Sequence, residues 1–169
     1  MKNLNRKNLM ALAAALFALN IGATAFAAEI SAADAKAVAA KVVPASAEYV
    51  ATENDADEKD FDEKFYDSKA RTAYEVDVNK VTGEVREYKM ELKGYEGSPN
   101  AVLSVEDVKQ IVLKEYPDAV IKSVKLDVDK ETGLKEYDVK FSTKAVIGDY
   151  DINPENGQVV DKELKYIGK

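Results

Sequence analysis

Two stretches of the chain alternate apolar and polar positions with a period of two and break at a glycine. One is YEVDVNKVTGEVREY, from Tyr74 to Tyr88, and the other is DYDINPENGQVVDKEL, from Asp149 to Leu164. Alternation of this kind puts every second side chain on one face, so each stretch reads as strand, turn, strand. Asp77 meets Asp151, Asn79 meets Asn153, Gly83 meets Gly157 and Val85 meets Val159, all at an offset of 74. The turn glycines fit a position with positive φ, where a side chain is strained.

Upstream of each hairpin the period changes to that of a helix. ISAADAKAVAAKVVP (residues 30–44) lies against LSVEDVKQIVLKEYP (residues 103–117), with Ser31 on Ser104, Asp34 on Asp107, Lys41 on Lys114 and Pro44 on Pro117. Ser31 and Ser104 are N-caps, and the aspartates three residues on complete a capping box. Ile30 and Leu103 can staple onto Ala35 and Val108. Ala35, Val38, Ala39 and Val42 share one helical face, as do Val105, Val108 and Val112, and the prolines end both helices. The first helix is thin and Ala-rich.

The remaining strands follow from the same alternation. Val120, Val124, Leu126 and Val128 lead into the turn at residues 129–133. Tyr137, Val139 and Phe141 follow, then Val146, Tyr150 and Ile152, then Val160, Leu164 and Tyr166. In the first copy Tyr74, Val76 and Val78 are followed by Tyr88, Met90 and Leu92. Two blocks in one order at nearly one offset read as a tandem duplication. The fold class expected is α+β: two tandem repeats, each one helix packed on a three- to four-stranded antiparallel sheet. Repeat 1 spans residues 28–94, a linker residues 95–102, and repeat 2 residues 103–169. The acidic run between Glu53 and Glu63, and the residues after it up to Ala70, do not align with the second copy.

Composition adds an address. Residues 1–27 carry Lys2, Arg6 and Lys7, then an apolar run from Leu9 to Leu19, then Ala25-Phe26-Ala27. This is the layout of a secretory signal peptide cleaved after Ala27, the apolar run being shorter than the roughly 20 residues of a spanning helix. The expectation is an exported protein, periplasmic, secreted or in the cell envelope, with no stable membrane insertion after cleavage. The whole chain carries −7; the 142 residues after the signal hold 21 basic and 31 acidic side chains, a net −10. That charge repels nucleic acid.

Chemistry is sparse. With no His and no Cys, nucleophile–imidazole pairs and the usual zinc or haem sites are absent. No nucleophile elbow and no phosphate-binding glycine loop occurs. No catalytic, cofactor-binding or metal-ligating residue is therefore assigned, and the chain is not expected to be an enzyme. Calcium is the one ligand to weigh, since residues 127–133, 149–157 and 53–60 are rich in oxygens. Counted from Asp127, Gly133 falls at position 7 and Asp138 at position 12, which is not the EF-hand spacing. Alternating carboxylates also mark the solvated face of a strand.

The capped helix ending in Tyr116-Pro117, the run from Ile121 to Phe141, and Tyr150-Asp151-Ile152-Asn153 with Asn156-Gly157-Gln158-Val159 resemble the PepSY domain. Tyr74-Glu75-Val76-Asp77-Val78 with Thr82-Gly83-Glu84-Val85 carries the resemblance a second time. PepSY domains occur in propeptides of thermolysin-type metallopeptidases and as free-standing exported bacterial proteins. The resemblance implies a non-catalytic module that binds and restrains peptidases, with a secreted metallopeptidase as partner, and it brings no catalytic residues. The alternative is an acidic cell-envelope protein that binds calcium or cationic wall components through the run from Glu53 to Glu63.

Overall fold

Two capped helices each lead into a four-stranded meander, and the two meanders share one sheet. The structure, a computed structural model, describes residues 29–54 and 58–168; the expected export signal with the cleavage expected after Ala27, and residues 55–57 of the acidic run, lie outside them. The elements in chain order are α1 (Ala32–Ala39), β1 (Glu48–Glu53), β2 (Asp60–Asp67), β3 (Thr72–Asn79), β4 (Val85–Leu92), α2 (Val105–Glu115), β5 (Val120–Val128), β6 (Lys135–Ser142), β7 (Val146–Ile152) and β8 (Val159–Tyr166).

The sheet has eight strands in the order β1-β2-β3-β4-β8-β7-β6-β5, every neighbouring pair antiparallel. This corrects the expectation of two tandem helix-on-sheet repeats, each with its own sheet. β4 and β8 pair over five positions, from Glu87↔Lys165 to Glu91↔Asp161, and fuse the halves into one mostly β layer. The physical reason is double. Each meander alone would end in a second free edge of unpaired backbone groups, which the β4–β8 ladder satisfies. Tyr88 and Leu164 are also cross-strand partners and both buried, so the apolar face runs across the seam without a break.

Both helices start as the sequence predicts. Ser31 accepts from the Asp34 amide and Ser104 from the Asp107 amide, and each aspartate accepts from its own cap's backbone. The residue before each cap is tied to the hairpin turn: the Ile30 amide donates to the Lys80 carbonyl at 2.7 Å, and the Leu103 amide to the Pro154 carbonyl at 2.9 Å. The turns share one design. The amides of Gly83, Gly133 and Gly157 donate to the carbonyls of Asn79, Asp129 and Asn153, and all three glycines have positive φ. The β2–β3 turn follows the same plan with Asp67 accepting from the Lys69 and Ala70 amides, but Arg71 takes the left-handed conformation at φ 54°.

The acidic stretch that could not be aligned is β2. Phe61, Glu63, Phe65 and Asp67 point to the buried face and pack beside Val78, Val76, Tyr74 and Thr72 of β3. Core side chains from both halves form one cluster under the helices, from Phe61, Phe65 and Val76 to Val139, Phe141 and Tyr150. β5 is less covered than its alternation implies: a bulge between Ile121 and Ser123 shifts its register, and Val120, Leu126 and Val128 are exposed.

Candidate functional site

One face of the sheet carries the helices and the other is open. Register fixes what the open face displays. Along one row run Lys64, Glu75, Lys89, Glu163, Asp149 and Lys140; along the next run Glu91, Asp161, Asp151 and Asp138. The first row alternates in sign for most of its length and is knitted by ion pairs, Lys64 to Glu53 at 2.6 Å and Lys89 to Glu75 at 2.8 Å. The second row is four carboxylates side by side.

Partial burial and neighbouring carboxylates raise several acids on this face. Burial, with Asp62 alongside, pushes the Asp77 carboxyl up to about 7; burial, with Glu136 and Asp161 alongside, does the same to Asp151. Asp62, Asp161 and Glu136 are also raised, burial being the leading cause in each. Shallow depressions of about 690 and 460 Å³ lie on this face, the first reaching Lys89, Glu91 and Asp161, the second Lys140, Ile147 and Asp149.

Asp138, Asp149 and Asp151 bring one carboxylate oxygen each to within 4.8 Å of one another, a spacing a cation could use. Lys140 already stands there: its Nζ lies 3.4 Å from Asp138 Oδ2 and also pairs with Asp149. An ammonium in that place supplies the positive charge that carboxylates at such spacing need. The other oxygen-rich stretches are occupied by turn chemistry. Asp129 accepts from the Glu131 and Thr132 amides and the Thr132 hydroxyl, which hold its carboxyl below the usual range. In the run from Glu53 to Glu63, Glu53 pairs with Lys64, Asp60 accepts from the Asn79 side chain at 2.9 Å, and Glu63 points into the core.

Glu63 is the residue the alternation missed. It is fully buried under α1; Oε2 accepts from the Thr52 hydroxyl at 2.8 Å, and Oε1 has no hydrogen-bond partner among the described residues. Burial raises its carboxyl pKa, with Lys36 of α1 opposing the shift more weakly than the Thr52 hydroxyl does.

The sheet has two free edges, β1 and β5. β5 spans nine residues, and Lys125, Leu126, Asp127 and Val128 are all exposed. No helix among the described residues is long and apolar enough to cross a membrane.

Residues 102–163 match the model of the PepSY family, described as peptidase propeptide and YPEB domain. The matched segment runs from just before α2 into β8 and holds β5, β6 and β7 entire. None of the curated proteins matches the chain. Among solved structures, a lipoprotein from Clostridium difficile 630 is 20% identical, over 72% of this chain and 84% of its own, with a TM-score of 0.33. A BLIP-like protein from Bacteroides fragilis NCTC 9343 is 13% identical, over 83% of this chain and 90% of its own, with a TM-score of 0.31.

Proposed function

With a PepSY domain at residues 102–163 as premise, we propose that the protein is an exported, non-catalytic binding module whose partner is another protein, a secreted metallopeptidase in the first place. The match to a family described by its peptidase propeptides is the observation that carries the reading. The fold supports it in one respect. A free antiparallel edge offers unpaired backbone donors and acceptors to an extended segment of a partner, and this sheet keeps two such edges. The excess of carboxylates on the open face favours a partner with a basic patch and an association that weakens as salt rises.

Inhibition assays on co-secreted metallopeptidases, at low and high salt, test the reading. Slowed proteolysis at low salt, relieved by salt, is the expected result. Hydrolysis of any substrate by the purified protein, abolished by a single carboxylate or serine substitution, would refute it.

The row of four carboxylates on β4, β8, β7 and β6 favours a second reading, an acidic envelope protein that takes up calcium or cationic wall components. Calorimetry with calcium separates the two. Heat of binding that Asp151→Asn removes, together with indifference to every peptidase, selects the second.

A further inference from the structure

The β5 edge is written to pair with itself. Val124, Leu126 and Val128 follow the bulge on the helix-bearing face, opposite Val139, Tyr137 and Lys135 of β6, while Lys125 and Asp127 stand on the open face. An antiparallel copy of β5 laid alongside with Leu126 opposite Leu126 brings Val124 against Val128 twice and Lys125 against Asp127 twice. Apolar side chains then meet apolar ones on one face, and both charge pairs on the other are of opposite sign. Shifting the pairing by one residue would set each side chain against the wrong face.

Two observations in the single chain point the same way. Asp127 is paired across the sheet with Glu136, a like charge, and neither Lys125 nor Asp127 has an ion pair among the described residues. A cation arriving on the outer side of Asp127 relieves that repulsion. The opposite edge is built the other way: self-pairing of β1 about its centre sets Glu48 against Glu53, and a bulge at Val50 breaks the strand.

We propose that the protein is a two-fold homodimer in which β5 of one copy pairs antiparallel with β5 of a second copy, Leu126 against Leu126. The contact is isologous and closes on itself, so it yields a dimer and no filament. It covers the exposed Leu126 and Val128 and joins two eight-stranded sheets into one, with a β1 edge at each outer end. This goes beyond the binding role and does not rest on it.

Sedimentation velocity over a concentration series should show the purified exported protein in equilibrium between one and two copies. Lys125→Asp and Asp127→Lys each make both cross-copy pairs repulsive and should weaken the dimer about tenfold or more. An equimolar mixture of the two variants should restore it, because only the mixed dimer has four complementary charges. Leu126→Cys, in a chain with no other cysteine, should cross-link two copies under mild oxidation, while Val128→Cys should not. Thermal unfolding at low concentration checks that each variant keeps its fold. A protein that stays single at every concentration, a dimer indifferent to both charge variants, or cross-linking at Val128 in place of Leu126 overturns the proposal.

Discussion

Glu63 and Val139 stand at corresponding points of the two meanders, yet one is a carboxylic acid and the other a branched hydrocarbon. Each is the cross-strand partner of a residue seven positions before a turn glycine, Val76 before Gly83 and Tyr150 before Gly157. Both are fully buried. Around Val139 the packing is apolar and tight: Phe141 meets Tyr150 edge-on at 5.1 Å and Tyr116 at 5.2 Å, and α2 adds Val108 and Val112. Around Glu63 it is partly polar, with Thr52 on Glu63 and Ser46 on Asp67, and α1 contributes only Ala35 and Ala39 as fully buried residues. The same strand frame can thus enclose an oil-like core on one side and a hydrogen-bonded one on the other. The N-terminal half tolerates this because its polar groups reach partners from β1 and the loop before it.

The sharpest way to break that comparison is to exchange its two residues. Val139→Glu should cost on the order of 4 kcal/mol, since a carboxyl is forced into a fully buried site packed by apolar side chains. Glu63→Val should be neutral or stabilising by about 1–2 kcal/mol, because an unpartnered buried oxygen is removed. Chemical denaturation of both variants checks the pair, and equal losses would show that the two cores are alike after all.

Gly148 sharpens it further. A Cβ at this buried position would come 2.2 Å from the Phe141 ring, whereas the corresponding residue of β3 is Tyr74, whose ring is accommodated. Gly148→Ala should destabilise by about 3 kcal/mol, and pairing it with Phe141→Leu should recover part of the loss.

Where the halves agree, at Asp77 and Asp151, a pH effect follows. Both carboxyls titrate near 7 when folded, against an ordinary value near 4. Between those values the native state binds more protons than the unfolded chain, so stability falls as pH rises from about 4 through 7. The double variant Asp77→Asn, Asp151→Asn should exceed the parent in stability at pH 8 by on the order of 1 kcal/mol per site, after discounting for exposure, with the gap closing towards pH 4. Thermal unfolding across that range is the measurement; a gap that widens on acidification would reverse the sign assigned to both groups.

The smallest effect is expected at Arg71, the left-handed residue of a turn whose counterparts are Gly83, Gly133 and Gly157. Arg71→Gly should stabilise by about 0.5–1 kcal/mol through relief of backbone strain, offset by a looser unfolded chain. The midpoint of a denaturant transition reads it directly.

Much of this was legible in local signals, because caps, turn residues and two-residue alternation act over a few positions. Ser31 with Asp34, Ser104 with Asp107, and the glycines of three turns fall where those signals put them. β2 was hidden because Glu63 sits at a core position between Phe61 and Phe65, in a stretch dense with acids; composition there reads as a solvated loop, and only the Thr52 hydroxyl across the ladder makes the burial acceptable. The resemblance to PepSY was legible in the spacing of Tyr150, Asn153, Gly157 and Val159, which lie within the matched residues.

By itself the sequence determined where both helices start, where α2 ends, the geometry of the turns and the absence of histidine and cysteine chemistry, all properties of residues near one another along the chain, whereas α1 stops at Ala39, five residues before the proline expected to end it. Whether the meanders would hold separate sheets or one was decided only in three dimensions. Edge pairing between β4 and β8 joins residues seventy or more positions apart, and the backbone groups that make it are the same in every sequence, so no side-chain pattern announces it. The same ladder sets the rows of the open face, where Glu91, Asp161, Asp151 and Asp138 become neighbours because four strands lie in that order.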